Sequence, residues 1–193
     1  MNILVICAVQ GSRAKKALEI ISMFDGWDCT IKVHTPRKRS TLECIREFLD
    51  TADTRTPALI MYLGDGTRSG WKVTPDEEVL YSDLVRLFME YSPTRRISVV
   101  NDTNYGHMLI KELIGARDPL YTSCMCNSRF DCVNAGEIFS LALECWNQGL
   151  RPEQKISALS YGHLGAHHNV AIWQRWGEFF EDILMHQSRQ EVA

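Results

Sequence analysis

Two runs, Ile3 to Val9 (ILVICAV) and Ala58 to Leu63 (ALIMYL), are apolar at almost every position. A strand with one face in water alternates apolar and polar residues. A run without alternation must be covered on both faces, which is the condition of parallel strands in an α/β sheet. The intervening sequence supplies the covering helices. After Ser12, the residues Ala14, Ala17, Leu18, Ile21 and Phe24 recur at helical spacing, and Gly26 is a natural stop. Cys29 to His34 alternates as a second strand. Ser40 and Glu43 form an S-x-x-E capping box, ahead of a helical face of Leu42, Ile45, Phe48 and Leu49.

The same alternation continues past the Ala58 to Leu63 run. Around Thr74-Pro75-Asp76-Glu77 two readings compete. Thr74 and Glu77 suit a second capping box and a long helix. Equally, Trp71-Lys72-Val73 and Val79-Leu80-Tyr81 suit a small hairpin, with Ser82 capping a helix from Asp83 to Tyr91. Pro-Asp in the turn and β-prone flanks favour the hairpin. Arg96 to Asn101 is expected as the fourth strand, His107 to Ile114 as a short helix, and Leu120 to Met125 as the fifth strand. Ala135 to Trp146 reads as a helix and Lys155 to Tyr161 as a sixth strand. Val170 to Met185, with Ile172, Trp173, Trp176, Phe179, Phe180 and Ile183, reads as an amphipathic helix with an aromatic face. The expected architecture is a three-layer α/β domain of about six mostly parallel strands, with helices on both faces. The functional loops of such a sheet lie beyond the carboxyl ends of its strands. Here they are 64–70, 102–107 and 126–135.

Charge and cysteine usage narrow the function classes. The 21 basic and 24 acidic residues leave a net charge of −3, so no basic excess points to nucleic acid or an anionic membrane. No run approaches the roughly 18–20 apolar residues of a membrane span. The start MNILVICAVQ lacks the features of a secretion signal. The seven cysteines are odd in number and irregularly spaced, which suits reduced thiols in a cytoplasmic or nuclear setting.

The loop Gly64-Asp65-Gly66-Thr67 leaves the third strand. A Gly-rich turn there can be structural. The string LGDGT is also similar to the GGDGT motif of NAD kinases and diacylglycerol kinases, which would imply nucleotide binding, although Leu63 stands at the first glycine of that motif. A broader likeness spans about residues 3–162. The order of elements resembles the caspase-like fold of caspases, metacaspases and paracaspases. In that family the third strand ends in a Ser-Gly-His-Gly type motif carrying the catalytic His. A small hairpin follows, then a helix opening with Asp-Leu, here Asp83-Leu84. The fourth strand ends in a motif such as Asp-x-Cys-x-x-Gly, carrying the nucleophile; here it is Asp102-Thr103-Asn104-Tyr105-Gly106, with the glycine one place earlier. Gly136-Glu137-Ile138-Phe139-Ser140-Leu141 resembles the helix of the family's small-subunit half. The resemblance implies one domain over 1–193, large-subunit-like in 1–115 and small-subunit-like in 116–162, with a C-terminal amphipathic helix over 170–187.

By that resemblance Asp65 stands where the family has His, and Asn104 where it has Cys. The two positions are 39 apart. An amide is not a useful nucleophile, and no thiol remains for a base to activate. A shift in alignment does not restore the pair, because no Cys lies between Cys44 and Cys124 and no His between His34 and His107. The resemblance therefore implies a non-catalytic member with degenerate dyad positions Asp65 and Asn104. Its vestigial pocket would be formed by Gly64, Gly66, Asp102, Tyr105, Gly106 and Arg129. No cofactor and no metal are expected. The expected partner is a protein, either an active caspase-like protease or a second copy, and neither nucleic acid nor membrane. Caspases dimerise through their last strand, which makes Lys155 to Tyr161 the candidate edge.

Other features have plainer readings beside functional ones. A relocated protease would pair Cys126 with His107. Cys124-x-Cys126-x₅-Cys132 misses the Cys spacing of structural zinc sites. His163, His167 and His168 suit a loop or a pH-sensitive site. Arg37-Lys38-Arg39 is a short solvated patch without interleaved aromatics. The aromatic stripe of the tail is core packing or, where exposed, a partner surface.

Overall fold

In a computed structural model, described over residues 1–8, 12–36, 39–116, 122–127 and 170–173, the chain forms an α/β domain around a mostly parallel sheet. The strands are β1 (Asn2–Cys7), β2 (Thr30–His34), β3 (Ala58–Leu63), β4 (Asp65–Gly66), β5 (Gly70–Lys72), β6 (Glu78–Leu80), β7 (Ile97–Asp102), β8 (Thr122–Asn127) and β9 (Val170–Trp173). The helices are α1 (Ser12–Ser22), α2 (Thr41–Thr51), α3 (Tyr81–Tyr91) and α4 (His107–Gly115). The large sheet has the order β2-β1-β3-β7-β8-β9, and β4-β5-β6 form a small separate sheet. Strands β2, β1, β3, β7 and β8 run parallel, and β9 pairs antiparallel with β8.

The uniform hydrophobicity of the first and third strands has the expected cause. All six residues of β3 are buried, because the strand lies between β1 and β7 with both faces covered. Alternate residues of one strand feed two cores. Leu4 and Ile6 of β1, with Ile60 and Tyr62 of β3, pack against Ile45 and Phe48 of α2, Leu84 and Phe88 of α3, and Leu109 of α4. Ile3 and Val5, with Leu59 and Met61, pack on the other face against Ile20 of α1 and Phe24. Helices thus cover both faces. Gly26 closes the turn after α1 with φ 81°, a backbone that a side chain would strain.

Of the two readings around Thr74, the hairpin forms: β5 pairs antiparallel with β6. The Thr74 hydroxyl accepts the backbone N–H groups of Asp76 and Glu77, which folds the turn and leaves no helix start there. Helix α3 begins at Tyr81, and its N-cap is Leu80 rather than Ser82. The expected Ser40 capping box is also replaced. Ser40 makes no side-chain cap bond. Instead Glu77 reaches in from the hairpin turn, accepting the Thr41 N–H at 2.7 Å and the Thr41 hydroxyl at 3.3 Å. A carboxylate from a distant turn does the work of a local cap and favours the positive end of α2.

One expectation needs correction. The amphipathic helix expected over 170–187 does not begin at Val170, because Val170–Trp173 is strand β9. Its four residues pair with Cys124 to Asn127. Val-Ala-Ile-Trp fits a pleated surface as well as it fits the helical spacing, and the open edge of β8 decides between them. Residues 174–187, the strand expected at Lys155 to Tyr161 and the helix expected at Ala135 to Trp146 lie outside the described residues.

Candidate functional site at the carboxyl ends of β3 and β7

The chain winds from β1 outwards to β2, then crosses to β3 on the other side of β1. The reversal falls between β1 and β3, and the loops that follow the carboxyl ends of the parallel strands are where such sheets carry function. The loop after β3 and the loop after β7 leave the sheet side by side, since Leu63 pairs with Asp102 in the last register of those strands.

These loops touch through their backbones. A Cβ added to Gly66 would lie 2.3 Å from the carbonyl oxygen of Asn104 and 2.6 Å from the hydroxyl of Thr103. Gly66 is therefore the residue that allows the approach. Gly64 is packed in the same way, with a hypothetical Cβ 2.4 Å from the Tyr62 hydroxyl and 2.8 Å from the Cβ of Ala8 at the end of β1. The two glycines of the Gly-Asp-Gly-Thr string are thus explained by close contact within the protein. Thr67 and Ser69, further along that loop, both donate to the Glu78 carboxylate of β6, Ser69 at 2.8 Å. These two hydroxyl bonds hold the Glu78 carboxyl below its ordinary pKa.

A buried relay ties the small sheet to the second loop. The indole N–H of Trp71 on β5 donates to the Asn101 side-chain oxygen at 2.6 Å, and the Asn101 amide donates to the Gly106 carbonyl at 2.9 Å. Trp71 and Asn101 are both fully buried. Tyr62 stacks on Trp71 with ring centroids 4.4 Å apart, and its hydroxyl reaches the carbonyls of Asp65 and Lys72. Both loops are thereby pinned from below. Above them the Arg68 guanidinium lies over the Tyr105 ring, 5.8 Å from its centroid. Tyr105 itself has φ 57°, a left-handed conformation unusual for a bulky residue.

Among the sequence-derived positions, Asp65 is exposed on the first loop, and Asn104 and Tyr105 are half-buried on the second. Gly66 makes the join between the loops, while Gly64 packs against Tyr62 and Ala8 and the Gly106 carbonyl accepts from Asn101. Asp102 ends β7. Arg129 lies outside the described residues. His107 opens α4, and its Nδ1 is buried without a partner among the described residues. Burial, then the nearby Lys111, lowers the pKa of this imidazole, which favours its neutral form. Cys126, its partner in the relocated-protease reading, is in register with Asn101.

Trp71, Asn101 and Thr103 did not emerge from the sequence as site residues. Thr103 is fully buried, and its hydroxyl has no partner among the described residues. The available signal was a polar Asn101-Asp102-Thr103-Asn104 stretch directly after the apolar Val99-Val100 of a central strand. Polar side chains at that depth need named partners.

The fold and site define an α/β domain with a mostly parallel sheet, in which the loops after β3 and β7 are in backbone contact. No known protein family and no curated protein matches the chain in sequence. Protein GSU0716 from Geobacter sulfurreducens has a similar crystal structure, with a TM-score of 0.57 over 89% of this chain and 92% of that one, at 9% identity. At that identity the likeness is one of fold.

Proposed function

We propose that this chain is a non-catalytic protein of the caspase-like fold that acts by binding another protein. The observation that carries the reading is the join between the loops of Asp65 and Asn104. The residues matched by resemblance to the family's His and Cys sit on two loops that touch through Gly66 and the Asn104 carbonyl. The elements between them, a small antiparallel sheet and a helix containing Asp83-Leu84, follow the order of the resemblance. On this reading the scaffold for a dyad is kept while its chemistry is lost. A carboxylate at 65 and an amide at 104 offer neither a thiolate nor a proton shuttle.

Such a protein modulates by occupancy. It binds an active caspase-like protease, or a second copy of itself, and acts on cell-death or immune signalling in the cytoplasm. The test is peptidase turnover on fluorogenic peptides with Asp, Arg or Lys before the scissile bond, with and without calcium, beside the Asp65→His, Asn104→Cys double variant. The expected result is silence from the natural chain and measurable turnover from the variant. Turnover by the natural chain overturns the reading, and a folded but silent double variant removes the dyad alignment on which it rests.

A further inference from the structure

Strand β2 closes one side of the large sheet, and among the described residues no strand lies beyond it. The Thr30 N–H donates to the Met1 carbonyl at 2.9 Å, so Thr30, Lys32 and His34 turn their backbone groups towards β1. The backbone groups of Ile31 and Val33 then point away from the sheet. N–H donors and carbonyls stand there in a row, which is the template for a further strand. Val33 is 48% exposed, so its end of the row is uncovered. Natural edges are blunted by proline, bulges or charge. Here the one charged side chain that is not an imidazole is Lys32, and its ammonium lies 3.5 Å from Glu47 of α2.

The side chains select the strand's own copy as the occupant. By alternation Cys29, Ile31 and Val33 share one face, where Cys29 and Ile31 pack on the core beneath α1. Thr30, Lys32 and His34 share the other. Two copies of β2, antiparallel about a two-fold axis at Ile31, set Ile31 opposite Ile31 and Val33 opposite Cys29. On the other face Lys32 meets Thr30, and the exposed Asp28, just before the strand, comes to the half-buried His34. Apolar residues thus face apolar ones, and a carboxylate faces an imidazole. The outward groups also match. Ile31 exchanges both bonds with its mate, and the Val33 N–H reaches the Cys29 carbonyl of the other copy. The Cys29 N–H is held by Trp27 of its own chain, so only its oxygen is needed. A slip of one step in the other direction sets Lys32 against Lys32, and a further step sets it against His34, which like charge disfavours.

We propose that the β2 edge is a homodimer interface, which joins the large sheets of two copies about a two-fold axis at Ile31. The contact is isologous, so each favourable pair away from the axis occurs twice. A single strand pair is small beside a standard interface, so the dimer is weak and concentration-dependent. This placement is independent of the dyad alignment at 65 and 104. It also differs from the Lys155 to Tyr161 edge that the resemblance implies.

The test is sedimentation velocity of the full chain, reduced, from low micromolar to near-millimolar concentration. The expected result is a monomer–dimer equilibrium. Val33→Pro removes an N–H that faces outward and no bond to β1, a change that an edge strand tolerates. It is expected to stay monomeric throughout, with an unchanged circular dichroism spectrum. Val33→Asp, at the same exposed position, sets a carboxylate against Cys29 of the second copy and is expected to raise the dissociation constant at least roughly tenfold. The Thr30→Cys, Lys32→Cys double variant reads the register. Its new thiols face each other across the axis at a Cα separation of about 4.5 Å, within disulfide reach. Mild oxidation is expected to give a covalent dimer from this variant, beyond what the natural chain or Lys32→Cys alone gives. The proposal is overturned by a natural chain that is monomeric over the whole range. It is equally overturned by a dimer undiminished in both Val33 variants, which puts the contact elsewhere, or by an equal yield of covalent dimer from Lys32→Cys alone, which moves the axis off Ile31. None of these outcomes bears on the peptidase test of the dyad, so the two readings fail separately.

Discussion

Replacing Asn101 with Ala tests the relay that ties the small sheet to the second loop. Asn101 is fully buried, and its side chain accepts from Trp71 at 2.6 Å and donates to Gly106 at 2.9 Å. Alanine leaves a buried indole N–H and a buried carbonyl without those partners. Each such orphan costs about 1–3 kcal/mol, so the variant should lose about 2–6 kcal/mol. For a domain of this size each kcal/mol moves the melting temperature by roughly 2–4 °C, which predicts a fall of about 4–24 °C. Urea unfolding gives the free energy, and the same assay on Trp71→Phe and on the double variant closes a cycle. If the bond is the shared cause, the double variant should lose about 1–3 kcal/mol less than the sum of the singles. A loss below about 0.5 kcal/mol for Asn101→Ala, or strict additivity, would refute the argument that this bond organises the second loop.

The other predictions follow from separate contacts. Gly66→Ala should destabilise by about 1–3 kcal/mol, as overpacking does, because its Cβ meets a backbone carbonyl that must retreat; chemical denaturation measures it, and an unchanged midpoint would mean that the loops do not touch. Glu77→Gln should cost roughly 1 kcal/mol and Glu77→Ala more, read by urea melts, since the carboxylate replaces the missing N-cap of α2. His34 and His107 both have lowered pKa values, chiefly through burial. The unfolded chain therefore takes up protons before the folded one does, and stability is full above the ordinary imidazole range and falls as pH drops through it towards the lowered folded values. Melts between roughly pH 7 and pH 5 should show that decline, and a His34→Gln, His107→Gln variant should flatten it.

The strands and helices were legible wherever burial imposes a period. Ile3 to Val9 and Ala58 to Leu63 announced a sheet covered on both faces, and β1 and β3 are its adjacent inner strands. That the loops carrying Asp65 and Asn104 leave the sheet side by side was legible only through the order of elements, since 39 positions separate those residues. What stayed hidden depends on contacts between distant residues. Ser40 and Glu43 have the local pattern of a cap, yet Glu77 outcompetes them because the hairpin turn delivers a carboxylate to the same amide. Val170 to Trp173 suits either period until the edge of β8 is known. Gly66 reads as a flexible turn residue, and only the position of Asn104 reveals it as a point of contact. Arg95 reads as one of a pair of surface arginines, and only its burial sets it apart from Arg96.

The join at Gly66 has a consequence for how these two loops can change. What meets there is a hydrogen atom on one loop and a main-chain oxygen on the other, so this contact is made by the polypeptide itself. A substitution at 104 changes the side chain and leaves that main-chain oxygen where it is. A substitution at 66 replaces the hydrogen atom itself. The spacing of the two loops is therefore set by the residue that displays no side chain at all.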